Sequence, residues 1–167
     1  NVVPVTLELG GKSPQVVFDD ADIDDALPFL VNAGIQNAGQ TCSASSRILV
    51  QRGVYDDVVT AMAERYSALR VGPAETDLAI GPLISQRQKE IVTEFLAKGA
   101  DLRIAAEGQI VGEAPNAGAY VKPTLFADVP PGHVLAQQEI FGPVLQVVRA
   151  ESLEEAARLP SDHQYGN

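Results

Sequence analysis

The sequence predicts an α/β fold, with three layers (αβα) around a mainly parallel open sheet. Two observations carry this expectation. Short runs rich in β-branched residues alternate with runs whose apolar residues recur at helical spacing, and that alternation is the mark of helices covering a layered sheet. With 167 residues, 46% of them hydrophobic, the chain also has the size of one domain and can bury roughly 68–70% of its unfolded surface.

Val2 to Leu9 reads as an extended apolar run closed by Gly10-Gly11, and Gln15 to Phe18 as a second short strand opening after Pro14. The acids Asp19, Asp20, Asp22, Asp24 and Asp25 then precede Ala26, Leu27, Leu30, Val31 and Ile35. This fits a helix with carboxylates at its positive end, running to near Gly39 and holding Pro28 in its first turn. Arg47 to Gln51 is a compact strand. Val54, Val58, Ala61, Met62 and Leu69 place a second helix between about Val54 and Arg70. From Val71 to Ile84, Gly, Pro, Asp and Thr occur without periodicity, which is the composition of a surface loop. Ser85 with Gln88 has capping-box spacing, and Ile91, Val92, Phe95 and Leu96 form the apolar face of a third helix stopped by Gly99. A strand at Leu102 to Ala106, a glycine-punctuated loop to Gly118, and strands near Tyr120 to Phe126 and Val144 to Arg149 complete the sheet. Ser152 with Glu155 announces a last helix closed by Leu159-Pro160, and Ser161 to Asn167 has the composition of a linker.

Composition excludes several classes of function. Lys and Arg number 12 against 22 Asp and Glu, a net charge of −10, so phosphate backbones are repelled and nucleic acid is not an expected partner. No stretch approaches the roughly 20 apolar residues that cross a bilayer. The one cysteine, Cys42, rules out an intrachain disulfide, and its lone state suits a reducing compartment. Asn1-Val2-Val3-Pro4 has no basic region leading into an apolar run, so a cytoplasmic location is expected. With no initiator Met, the chain is expected to be part of something longer, incomplete at both ends. His133 and His163 stand alone without a second ligand at metal-binding spacing, so no metal is expected. No phosphate-binding glycine fingerprint occurs.

Three residues are candidates for chemistry. Cys42 lies in Gly39-Gln40-Thr41-Cys42-Ser43, among small residues and backbone donors that suit a thiolate nucleophile, although a lone Cys also packs as a small hydrophobe. Glu8 interrupts the apolar run Val5-Thr6-Leu7-Glu8-Leu9 and on strand periodicity shares a face with Thr6. A partly desolvated carboxylate at a strand end serves as a general base, and an outward edge charge is the alternative. Glu139 sits between a polar segment and the turn Gly142-Pro143, where a solvated charge is the default, and Phe141 beside it suits a core equally well.

Taken together the motifs Glu8-Leu9-Gly10-Gly11-Lys12-Ser13-Pro14, Asn37-Ala38-Gly39-Gln40-Thr41-Cys42 and Glu139-Ile140-Phe141-Gly142-Pro143 resemble the aldehyde dehydrogenase superfamily. The intervals of 34 residues from Glu8 to Cys42 and 97 from Cys42 to Glu139 are also similar to that family's. The likeness runs over essentially the whole chain, including Ile80-Gly81-Pro82-Leu83-Ile84 and Val121-Lys122-Pro123-Thr124-Leu125.

The resemblance implies that Cys42 attacks an aldehyde carbonyl, passing through a thiohemiacetal and a thioester, and that Glu8 activates the water that releases the acid. It implies that Glu139 and Phe141 meet the nicotinamide ribose, that Leu9 and Gly10 lie near the nicotinamide ring, and that Thr41 and Ser43 line the substrate pocket. NAD or NADP is the implied cofactor, and the parent protein is expected to be a homodimer or homotetramer. The 167 residues match the central part of the catalytic domain, with the dinucleotide-binding and oligomerisation segments outside this chain. Alone they are expected to bind cofactor poorly and to be largely inactive. Rival readings are a coenzyme A-acylating relative, which needs no hydrolytic base, a cofactor-free thiol esterase, and a non-catalytic interaction module that keeps the fold.

Overall fold

A computed structural model describes residues 2–112, 114 and 117–165. In chain order the elements are β1 (Pro14–Val17), α1 (Ile23–Ile35), β2 (Arg47–Gln51), α2 (Tyr55–Ser67), β3 (Arg70–Val71), α3 (Gln86–Lys98), β4 (Arg103–Glu107), β5 (Gln109–Ile110), β6 (Thr124–Ala127), α4 (Val134–Gln137), β7 (Val144–Ala150) and α5 (Leu153–Arg158). Five strands form one sheet in the order β1-β2-β7-β6-β4. Every pairing is parallel except the edge pair β4 and β6. A separate parallel pair joins β3, where the predicted second helix gives way to the loop after it, to β5 in the loop predicted up to Gly118.

Strand register assigns the layers. Leu125 pairs with Leu145 and Phe126 with Gln146, so the two pairs face opposite sides of the sheet. Gly34 of α1 lies against Leu145, while Gly99 at the end of α3 lies beside Phe126 and the α4 side chain of Leu135. Helices therefore cover both faces, giving the three layers expected. The middle of the sheet is apolar on both sides, as parallel strands between helices require. Ile48, Val50, Val144, Leu145 and Val147 are wholly buried, together with Val58, Met62 and Tyr66 from α2. Burial pushes the Tyr66 hydroxyl far above its ordinary titration range. Gln146, a wholly buried polar residue of β7, donates from Nε2 to the Val144 carbonyl at 2.8 Å.

The helix starts follow the sequence signals. Asp22, Ser85 and Ser152 each accept from a backbone N–H three residues on, at 3.1 Å in every case, which satisfies a donor that the first turn leaves open. Pro28 lies in the second turn of α1 and not the first, so the i−4 bond to Asp24 is the one it removes. The helix also stops at Ile35, short of Gly39, because Asn37 and Ala38 turn left-handed with φ of 50° and 55°. His133 supplies an unanticipated cap, its Nδ1 accepting from Leu135 N–H at 3.2 Å to start α4.

Two expectations are corrected. Residues 2–9 enter no strand among the described residues, and Val2, Val3, Val5, Leu7 and Leu9 are all exposed. β-branched residues favour extended backbone, but a strand also needs a neighbour to exchange hydrogen bonds with. The described part of the predicted linker, residues 161–165, is tied to the fold: Gln137 Nε2 donates to the Asp162 carbonyl at 3.0 Å and Glu139 N–H to the Tyr165 hydroxyl at 3.2 Å, while residues 166 and 167 of that linker lie outside the described residues. The chain reaches it through a 3-10 turn at Leu159–Ser161, where the Arg47 guanidinium donates to the Pro160 carbonyl at 2.9 Å. Among the described residues, no helix is long and apolar enough to cross a membrane.

Candidate active site

Glu8 stands six residues ahead of β1, Cys42 five ahead of β2 and Glu139 five ahead of β7. These three strands are adjacent and parallel, and neighbouring strands run about 4.8 Å apart. Three entering loops of matched length therefore meet at one edge of the sheet. That edge is the amino end of the strands, opposite to the carboxyl end where open α/β sheets commonly bind ligands. Glu8 is accordingly carried by an extended, unpaired arm and not by the strand that the sequence suggests.

The loops enclose a cleft of about 420 Å³. Cys42, Glu8 and Glu139 line it, with Leu9, Gly10, Thr41 and Phe141 between them. Gln40 also lines it and was not singled out by the sequence, although its place directly after Gly39 is the available signal. Ser43 is exposed and is not among the lining residues. The sulfur side of the cleft is open, since Cys42 is exposed.

The loop before Cys42 is held in an uncommon backbone conformation. Asn37, Ala38 and Gly39 are left-handed in succession, with φ of 50°, 55° and 74°, a region that costs non-glycine residues of order 1–3 kcal/mol each. Side chains compensate. Asn37 Nδ2 donates to the Gln40 carbonyl at 2.9 Å, Gln40 Nε2 returns to the Asn37 carbonyl at 3.0 Å, and Gln40 Oε1 accepts from Ile84 N–H at 2.9 Å. A Cβ on Gly39 would collide with the Gly142 carbonyl and lie 2.7 Å from Pro143 N. The thiol loop and the Glu139 loop thus touch backbone to backbone, and glycine is what permits it.

Glu139 is fixed at several points. Gly11 N–H donates to its Oε1 at 3.1 Å, and its own N–H donates to the Tyr165 hydroxyl at 3.2 Å. From α3, Gln88 Nε2 donates to the carbonyls of Ile140 at 3.2 Å and Phe141 at 3.0 Å, steadying the left-handed Phe141 at φ 57°. A Cβ on Gly10 would run into Glu139 Oε2, so the glycine leaves the carboxylate its place.

Beneath the cleft Lys12 is wholly buried, and its ammonium is pushed down to about 7, chiefly by burial, with repulsion from Arg47 adding and the charge of Glu139 opposing. Arg47, 2% exposed, donates to the Lys12 carbonyl at 3.4 Å as well as to Pro160, joining the loop ahead of β1 to the turn after α5. Nothing in the sequence marks Lys12 as interior, because lysine is ordinarily a surface residue. Among the described residues no three His, Cys, Asp or Glu side chains gather as a metal site.

An α/β domain that brings an exposed thiol and two carboxylates to one cleft has the layout of a thiol-based catalyst. The model of the aldehyde dehydrogenase family matches residues 1–167, and the chain belongs to that family. It is 44% identical over 170 residues to an aldehyde dehydrogenase of Emericella nidulans, covering 99% of this chain and 33% of that protein. A crystal structure from Burkholderia cenocepacia matches with a TM-score of 0.96 at 52% identity, over 98% of this chain and 35% of that one. The Mycobacterium tuberculosis aldehyde dehydrogenase complexed with NAD+ matches with a TM-score of 0.89 at 40% identity, over 95% of this chain and 33% of that one. The chain spans about a third of the length of these proteins.

Proposed function

We propose that this chain carries the thiol part of an active site that oxidises an aldehyde to a carboxylic acid with water and a nicotinamide dinucleotide. The observation that carries the reading is the shared cleft, which a thiol and two carboxylates from three separate loops line together.

Cys42 as thiolate adds to the aldehyde carbon, forming the C–S bond of a thiohemiacetal and moving the carbonyl π pair onto oxygen. Its own backbone N–H is a donor for that oxyanion. When bound, NAD or NADP supplies the hydride acceptor, which turns the adduct into a thioester. Glu8 then takes a proton from water as the water oxygen attacks the thioester carbon, and the C–S bond breaks to return the thiolate. The overall balance is aldehyde, NAD(P)+ and water giving acid, NAD(P)H and a proton. A carboxylate on the same cleft as the thiol favours water as the acyl acceptor over coenzyme A, which needs no base.

The residues present suit the ribose end of such a cofactor. Glu139 uses one oxygen to accept from Gly11 N–H and keeps lone pairs for hydroxyl donors. Gly10 and Leu9 offer a close backbone and an apolar surface beside it, and Phe141 closes the same wall. Thr41 borders the thiol on the substrate side. The reducing compartment expected from the lone cysteine keeps the thiol available. The 167 residues alone are expected to turn over little aldehyde.

The test is intact-mass analysis of the complete polypeptide carrying Glu8→Gln after exposure to an aldehyde and NAD+. The expected result is one acyl mass, mapped by peptide digestion to Cys42 and lost in the Glu8→Gln/Cys42→Ala double variant. An acyl group that survives removal of Cys42 would overturn the reading.

A further inference from the structure

We infer that Tyr165 is a positioning residue for Glu139, holding it in the attitude needed to grip the cofactor ribose. The inference rests on the reading of Glu139 as the ribose contact.

Glu139 lies in the link between α4 and β7, where no helix or strand bond fixes its backbone. Its N–H instead donates across 26 residues of sequence to the Tyr165 hydroxyl, at 3.2 Å. The same tyrosine reaches the other wall of the cleft. Its ring edge, at Cε1, lies 3.4 Å from where a Gly10 Cβ would stand, next to the Glu139 carboxylate. Tyr165 therefore braces Glu139 from behind the backbone while Gly11 N–H holds its Oε1 at 3.1 Å. Two points of attachment on one residue, one on the main chain and one on the carboxylate, leave the side chain little freedom to turn.

The brace is itself anchored. Tyr165 N–H donates to His163 Nδ1 at 3.0 Å, and the two rings stand 5.7 Å apart between centroids. Three residues before Tyr165, the Asp162 carbonyl accepts from Gln137 Nε2 at 3.0 Å, and Arg158 pairs with Asp162 at 3.1 Å. Arg47 ties Pro160 to the Lys12 carbonyl, so the segment that carries Tyr165 is fastened to the loop that carries Gly10 and Gly11. On the far side Gln88 holds Ile140 and Phe141, which leaves the Glu139 peptide as the point that depends on Tyr165.

The experiment compares Tyr165→Phe, Glu139→Gln and the double variant in the complete enzyme. Phe keeps the ring against Gly10 and removes only the acceptor, leaving a half-buried N–H unmatched. Three quantities are read: NADH affinity by fluorescence titration without aldehyde, first-turnover hydride transfer with protio and deuterio aldehyde, and acyl release. In Tyr165→Phe we expect NADH affinity and hydride transfer each to fall about tenfold, with acyl release unchanged. The double variant should lose no more than Glu139→Gln alone, because the tyrosine acts through the glutamate. Unchanged NADH affinity and hydride transfer in Tyr165→Phe, with both impaired in Glu139→Gln, would overturn the inference and leave the ribose reading standing. Losses that add in full in the double variant would also overturn it. If Glu139→Gln itself leaves both quantities unchanged, the ribose reading fails and the inference with it.

Discussion

The loops that deliver Cys42 and Glu139 differ in construction from the arm that delivers Glu8. The first two touch through Gly39 and Gly142, are crossed by side-chain bonds from Asn37, Gln40 and Gln88, and lead into strands buried over most of their length. The arm at residues 2–10 is exposed along its length and enters no strand among the described residues. The thiol and the Glu139 carboxylate are thus positioned relative to each other by this chain's own core. Among the described residues, the arm that carries Glu8 passes into the interior at Gly11 and Lys12. The two sides can therefore be broken by different kinds of substitution.

The largest effect falls on the exposed side. Glu8→Gln in the complete protein should keep the first burst of NADH and slow steady turnover by about 10²–10⁴-fold, the usual contribution of a general base. A steady rate equal to wild type in stopped-flow and steady-state assays would show that the base lies elsewhere. Its folding should be unaltered, because the carboxylate is exposed.

On the clamped side the cost is to structure. Gly39→Ala puts a Cβ at φ 74° against the Gly142 and Pro143 backbone. A loss of about 3 kcal/mol in chemical denaturation is expected, with displacement of the thiol. If the variant matches wild type in both stability and thiol alkylation rate, the two loops are not locked together as described.

The smallest effect sharpens the account of what lies beneath. Lys12 titrates near 7 when folded and near 10.5 when unfolded. Below pH 7 both states hold the proton, and the full penalty of burying the charge is present. Between these values the unfolded state binds more protons, so stability rises with pH, by at most about 1.4 kcal/mol per unit from this group. Lys12→Met should flatten that rise, measured by denaturation midpoints from pH 7 to 9. An identical slope in the variant would show that this lysine stays charged in the fold.

How much the sequence reveals follows the same division. Ser85 with Gln88 and Ser152 with Glu155 announce helix starts through local bonds, and both are found as read. Strands β2 and β7 are legible because burial on both faces demands continuous apolar runs. The run Val2 to Leu9 misleads because extended backbone is a local preference, whereas pairing depends on a partner that no local pattern records. The lining residues come from motifs spread over more than 130 residues, and the topology that joins them is the order β1-β2-β7, which no spacing reveals. Tyr165 and Lys12 escape notice because each takes its part from distant contacts. A tyrosine in a polar tail and a lysine after two glycines both read as surface.

Because each of the three loops feeds its own rung of a parallel ladder, the spacing among their reactive groups is inherited from the ladder. Apart from Gly10, Gly11, Gly39 and Gly142, through which the loops touch one another, residues within any one loop are then open to exchange without disturbing the others, provided its length to the first rung is kept. A scaffold of this kind lets the chemistry at its rim diversify while the hydrocarbon interior stays as it is.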